Sequence, residues 1–177
     1  MKGPTTGGAD LDERDFESYA AARWPSLVRS GVFLGCSVED AQDLAQSTLL
    51  RCHVAWSKVQ RADDRDAYVY QVLLNCLRDS RRRRWWGERP TERLPEEPVS
   101  DRSAEVDVAD AVHRAMAGLS NAHREVVVLR YLADLSAQQT AGVLGVEVGT
   151  VKSRLSRALS RLSADVHLLD LTEGPTT

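Results

Sequence analysis

The chain has 177 residues, 42% of them hydrophobic and 28% charged, a soluble globular balance with room for one large or two small domains. Its net charge of −3 argues at first against nucleic acid, but the charge is unevenly placed: basic residues crowd Arg81–Arg84 and Lys152–Arg161, acidic ones the N-terminus, Asp63–Asp64 and the stretch from Glu92 to Asp110. No apolar run is long enough to span a membrane and no apolar signal core opens the chain, so a cytoplasmic protein without direct membrane insertion is expected.

Residues 1–12 are rich in Gly, Thr and Asp and read as a disordered tail. A first helix is expected from Asp15 to about Gly31, kinked or broken at Pro25. A second begins after Ser37, a suitable cap, with Asp40 in its first turn and an apolar stripe of Ala41, Leu44, Ala45, Leu49, Cys52 and Trp56. On its polar side Asp43, Gln46 and Ser47 share one surface at i, i+3 and i+4, with Leu50 beside them. That surface reads either as a solvated face or as a docking face for a basic helix. The loop SKVQRADD follows. A third helix is expected from about Arg65 to Arg84, with Val69, Val72, Leu73, Cys76 and Leu77 inward. Tyr68, Asn75, Asp79 and Arg82 form a line along it, and it ends in RRRRWW. Asn and Arg can read base edges, aromatic rings can stack on bases, and clustered arginines neutralise phosphates. The two tryptophans equally suit closure of the core.

The next segment, GERPTERLPEEPVSDRSAEVD, has three prolines and almost no apolar residues, which marks a linker. Beyond it, one helix carries Val108, Val112, Met116 and Leu119. Ser120 caps another with Val126, Val127, Leu129 and Leu132 inside. The segment from Ser136 to Leu162, SAQQTAGVLGVEVGTVKSRLSRALSRL, is the most informative of all. Ser136 and Gln139 form a capping box, Gly145 permits a bend, and Val151, Leu155, Ala158 and Leu162 back a helix carrying Lys152, Arg154, Arg157 and Arg161. A basic helix after a tight turn is the pattern of a helix-turn-helix that enters the DNA major groove. LTEGPTT closes the chain as a frayed tail.

Cys36, Cys52 and Cys76 form no CxxC pair and the four histidines lie at no ligand spacing, so free buried thiols are expected, without metal or cofactor; a redox role for these cysteines is left open. No phosphate loop, nucleophile elbow or acid/base pair is present, and no enzyme is expected.

DAQDLAQSTLLR (40–51), YVYQVLLNCLRDSRRRR (68–84), LSNAHREVVVLRYLADLS (119–136) and GVEVGTVKSRLSRAL (145–159), in this order and split by the linker, resemble the extracytoplasmic-function (group IV) sigma factors of the sigma-70 superfamily, the small actinobacterial members especially. The resemblance implies an all-α chain of two small helical domains: a sigma-2-like domain over 13–87, a linker over 88–105, a sigma-4-like helix-turn-helix domain over 106–166, and tails at 1–12 and 167–177. Domain orientation is expected to depend on a partner. Asp40, Asp43, Gln46, Ser47 and Leu50 would meet the β′ clamp helices of core RNA polymerase. Lys58, Arg61, Tyr68, Asn75, Asp79, Arg82 and Arg83 would bind the −10 element, the loop from Ser57 to Asp64 taking a base flipped from the melted strand. Glu147, Thr150, Lys152, Ser153, Arg154 and Arg157 would bind the −35 element of promoter DNA, with the β flap gripped on the apolar side. Transcription of a stress or developmental regulon and control by an anti-sigma protein are also implied. Ser47 departs from the family's usual acidic residue, Leu49 from a common aromatic, Tyr68 from Trp, Thr140 from Ile, and Glu147 from a Ser or Thr cap. An alternative reading of GTVKSRL is a LuxR-like regulator, which would need a strand-containing receiver in its N-terminal half.

Overall fold

The computed structural model describes the backbone of residues 6–87 and 104–165 and the side chains of 12–83 and 110–165. Every regular element among them is a helix: α1 (Thr6–Phe33), α2 (Val38–Val54), α3 (Trp56–Gln60), α4 (Arg65–Gly87), α5 (Ala104–Ala117), α6 (Asn121–Tyr131), α7 (Ala137–Leu144) and α8 (Val148–Ser163). The linker expected over 88–105 falls largely outside the described residues, and α5 already begins at Ala104. The side chains of Arg84, Trp85 and Trp86 and the C-terminal tail also lie outside them.

Local chemistry sets most helix starts. Ser37, Ser120 and Ser136 occupy N-cap positions in extended backbone, and each hydroxyl accepts from the amide three residues on. At Ser136 the box is complete, because Gln139 Oε1 also accepts from the Ser136 amide. Gly145 ends α7 at φ +65°, a left-handed conformation that costs glycine little. Glu147 caps α8 without a side-chain bond.

Two expectations at the N-terminal end change. The helix expected from Asp15 starts at Thr6, inside the segment read as a disordered tail, and it continues through Pro25 to Phe33 rather than breaking. Contacts explain both. Phe16 stacks at 4.4 Å on His53 and meets Trp56 at 5.2 Å, while Tyr19 lies 5.4 Å from Trp56. Leu27, Ser30, Gly31 and Leu34 are buried, so the packing of α1 on α2 outweighs the ~3 kcal/mol that an interior proline costs. The segment read as a loop after α2 holds the short helix α3, with Trp56 (95% buried) as its first residue instead of the last of α2.

Leu27, Leu34, Leu44, Leu49, Cys52, Val69, Leu73, Leu74 and Leu77 form the centre of the first half. The second half packs directly on the first. Met116, Leu119, Val127, Val128, Leu129, Leu135 and Val143 belong to the same continuous core, and only a small cluster of Val126, Ala141 and Val151 is private to the helix-turn-helix. The two helical halves expected from the sequence thus pack against each other along one apolar seam. Polar contacts line the seam. Gln139 donates to Asp64, Arg78 pairs with Glu125 at 3.4 Å, and Arg124 donates to the carbonyl of Leu34 at 3.4 Å and of Leu119 at 3.0 Å. Arg81 donates to the same Leu34 carbonyl at 2.7 Å. Two guanidiniums thus converge on one carbonyl at the end of α1. Burial, and then the Arg81 charge, push the Arg124 pKa below the usual arginine range.

Candidate nucleic-acid interface

On α2, Asp43, Gln46, Ser47 and Leu50 are exposed and Asp40 is half-buried beside the Ser37 cap. Burial of Ala41, Leu44, Ala45, Thr48, Leu49 and Cys52 fixes this orientation. A cavity of about 470 Å³ is lined by Asp40, Asp43, Ser47, Leu50 and Arg51 of α2 and by Arg81 and Arg83 of α4, among others. Arg83, grouped by sequence with the −10 residues, thus also borders the α2 surface. Sequence reasoning missed Val54, 90% exposed. The signal was available, since Val54 follows Ser47 by seven residues and Leu50 by four and so extends their face. Leu50 and Val54 thus place an exposed aliphatic pair on the polar side of α2.

On α4, Tyr68 is half-buried against the core and Asn75 and Arg82 are exposed. The Asp79 carboxylate is engaged by Arg51 at 3.2 Å and by Arg82 at 3.5 Å. In that arrangement Asp79 orients the two arginines. Between α2 and α4, Lys58 is exposed, and Arg61 folds back so that its Nε donates to the Ser57 carbonyl at 2.8 Å. Asp64 caps α4 by accepting from the Ala67 amide at 2.8 Å.

In the second half, α7 and α8 border an open groove of about 610 Å³ lined by Gln138, Gly142, Gly145, Glu147, Thr150 and Arg154, among others. Val151 and Ala158 are fully buried, and Lys152, Ser153 and Arg157 are exposed. At about 100° per residue, Lys152 lies roughly 160° around the helix from Arg154. The basic residues therefore form two flanks, Lys152 on one and Arg154 and Arg157 on the other. Between them the outward ridge is Gly149, Ser153, Ser156 and Ser160, all exposed and small. Thr140, at the family's usual Ile position, is fully buried and its hydroxyl has no hydrogen-bond partner.

Cys52 and Cys76 are buried, Cys36 is half-buried, and none of the three is in a disulfide. Burial, and then the proximity of Cys76, push the Cys52 thiol up to about 12. Among the described residues no helix is long and apolar enough to cross a membrane.

A basic helix-turn-helix seated on a helical half whose own long helix is arginine-rich defines a DNA-binding protein of the transcription machinery, and comparison with known proteins agrees. The family model "Sigma-70 region 2" matches residues 25–87 and "Sigma-70, region 4" matches 109–162. The RNA polymerase sigma-E factor of Streptomyces coelicolor is 37% identical over 162 residues, 89% of each chain. The ECF RNA polymerase sigma factor SigL of Mycobacterium tuberculosis is 31% identical over 184 residues, covering 97% of this chain and 98% of SigL. Among solved structures, RpoE of Bartonella quintana, in complex with the anti-sigma factor NepR, aligns with a TM-score of 0.67 at 25% identity over 92% of this chain and 99% of that one. CnrH, in complex with the cytosolic domain of CnrY, aligns at 0.63 and 27% identity over 89% of each chain. The chain belongs to the sigma-70 family, in its extracytoplasmic-function group, and is an alternative sigma factor. The LuxR-like alternative falls, because the N-terminal half matches region 2 and its described residues contain no strand.

Proposed function

We propose that this sigma factor joins core RNA polymerase through the α2 face of Asp40, Asp43, Gln46, Ser47, Leu50 and Val54, and reads promoter DNA with its two halves. In this reading the unit over 13–87 takes the −10 element through Lys58, Arg61, Tyr68, Asn75, Arg82 and Arg83, with Asp79 holding Arg82. The unit over 106–166 takes the −35 element through α8. Its small outward ridge lets α8 sit deep in the major groove, while Lys152 on one flank and Arg154 and Arg157 on the other reach base edges or the two phosphate walls. Glu147, Thr150 and Ser153 face the same groove. The protein acts by binding and positioning rather than by catalysis, and does so in the cytoplasm.

The observation that carries this reading is the combination of an exposed acidic and aliphatic α2 face with a capped, basic-flanked α8 on one chain. The solved relatives CnrH and RpoE are held by partner proteins. We extend that control to this chain: an anti-sigma protein covering Leu50 and Val54 on α2, or Tyr131 and Leu159 on the second half, all exposed apolar residues, competes with polymerase.

In vitro transcription with core polymerase tests the reading. Asp43→Arg with Gln46→Ala is expected to abolish holoenzyme formation without loss of helicity. The triple change of Lys152, Arg154 and Arg157 to Ala is expected to remove −35-dependent initiation and flatten its salt dependence. If the folded triple variant transcribes from the same start sites with the same salt slope, α8 is not the −35 reader.

A further inference from the structure

The first turns of α1 do more than extend a helix. They carry Asp12, Glu13 and Asp15 onto the segment between α2 and α4. Glu13 meets His53 at 3.2 Å, Asp15 meets Arg65 at 3.5 Å, and the Tyr19 hydroxyl donates to Asp66 at 2.7 Å. The contact of most consequence is with Gln60, the last residue of α3. Its amide nitrogen lies 3.1 Å from Asp12 Oδ1 and 3.0 Å from Asp15 Oδ2.

A carboxylate can only accept hydrogen bonds, and a glutamine amide nitrogen has two hydrogens to give. Asp12 and Asp15 therefore take both. The reverse orientation of the amide would face the Gln60 carbonyl oxygen with two carboxylates. Two ionised acceptors hold the group in one sense, and charge-assisted bonds are the stronger kind. What remains for a ligand is Oε1 alone, to which no donor is bonded among the described residues. A glutamine that could otherwise present either polarity has become a pure acceptor.

We infer that Asp12 and Asp15 are positioning residues that make Gln60 an acceptor-only reader of an unpaired base in the −10 region. The inference rests on the proposal that the segment from Ser57 to Asp64 meets the melted strand. An unpaired base offers its Watson–Crick edge. Adenine, cytosine and guanine carry an exocyclic amino group there, which donates to Oε1. Thymine offers one N–H between two carbonyl oxygens, so an acceptor placed against its edge meets like polarity on both sides. The expected selection is for an amino-bearing base, adenine, cytosine or guanine, and against thymine. Lys58, exposed in the same segment, supplies phosphate attraction without sequence preference.

The test uses holoenzyme made from the full chain and core polymerase, transcribing a promoter library randomised across the −10 region, with the transcribed templates sequenced. Wild type is expected to favour the amino-bearing bases over thymine at one position by about fivefold, the size of a single well-placed hydrogen bond. Asp12→Asn with Asp15→Asn lets the neighbours donate, so that Gln60 can turn; thymine at that position is then expected within about twofold of the other bases, as it is for Gln60→Ala. Asp12→Glu with Asp15→Glu keeps the acceptors and should retain the preference, which separates the chemistry from damage to folding. The inference is overturned if no position disfavours thymine in wild type, or if the Asn pair leaves that preference intact. Tyr68→Ala with Asn75→Ala identifies the broader failure: if that pair leaves the whole −10 motif unchanged, the surface itself is misplaced, whereas loss of the motif there with an unaffected Asn pair overturns the role of Asp12 and Asp15 alone.

Discussion

Thr140 offers a test of the physical reasoning inside the helix-turn-helix. Its side chain is fully buried on α7 and its hydroxyl has no partner, although the Thr140 amide is bonded normally to the Ser136 carbonyl at 2.9 Å. Thr48 on α2 provides the contrast: equally buried, its hydroxyl donates to the Leu44 carbonyl at 2.7 Å. A buried hydroxyl left unsatisfied costs about 1–3 kcal/mol, and Thr→Val removes it while keeping shape. Thr140→Val is therefore expected to stabilise the protein by about 1–2 kcal/mol, taking the lower part of that range because valine at a helix interior brings no gain of its own. For a chain of this size that raises Tm by roughly 2–8 °C, using about 2–4 °C per kcal/mol. Thr48→Val, which deletes a bond in use, is expected to lower stability by about 0.5–1.5 kcal/mol. Paired urea and thermal melts read both. Equal signs for the two substitutions, or a Tm for Thr140→Val at or below wild type, would refute the argument and point to a buried water on Thr140.

Gly31→Ala places a Cβ 2.8 Å from Ala41 Cβ and 3.1 Å from its Cα, against the α2 backbone, so α1 and α2 must part; a loss of about 1–3 kcal/mol by urea melt is expected despite alanine's better helix propensity. With the Cys52 thiol pushed up to about 12, its thiolate fraction at pH 8 is roughly one in ten thousand, so mass-mapped alkylation of folded protein should mark Cys36 first and Cys52 only on unfolding. Because burial raises the Cys52 pKa on folding, its stability contribution is intact below about pH 8.5 and declines as the pH climbs from there toward 12. Tyr19, raised by burial and by its Asp66 bond, adds to the alkaline loss above about pH 10. Urea midpoints in Cys52→Ala should consequently fall less steeply above pH 9 than in wild type. Dyes attached through Gln71→Cys and Ser156→Cys, in a background lacking the native cysteines, should show high energy transfer in the free chain and lower transfer once core polymerase is added; unchanged transfer in active holoenzyme would mean that the seam stays shut.

What the sequence revealed follows the range of the forces involved. Ser37, Ser120, Ser136 with Gln139, and Gly145 were legible because a cap or a left-handed turn is decided within four residues. The buried stripes of α2, α4 and α8 were legible from period alone. The start of α1 was not, because Gly7 and Gly8 disfavour helix locally and the compensation from Phe16 and Tyr19 comes from Trp56, some forty residues away. The packing of the two halves on each other was hidden for the same reason: linker composition says how far two halves can part, not whether Val127, Leu129 and Leu135 join apolar residues of the first half. The α2 and α8 surfaces could be read from charge and spacing, whereas the polarity of Gln60 needed Asp12 and Asp15 brought across space.

The hydrogen bond from Gln139 to Asp64 sets a length against the promoter. It ties the first turn of the helix-turn-helix to the cap of α4, so the two proposed reading surfaces start out as neighbours. Elements named for −10 and −35 are separated by roughly 25 base pairs, about 85 Å of duplex at ~3.4 Å per pair. The 17 chain steps from Gly87 to Ala104 extend at most to roughly 60 Å. Helix lengths within each half must supply the rest, with the seam open and the connection drawn out. In this reading the tolerated spacing between promoter elements is a property of the tether's length, and inserting residues into it should widen the range of spacers that support transcription.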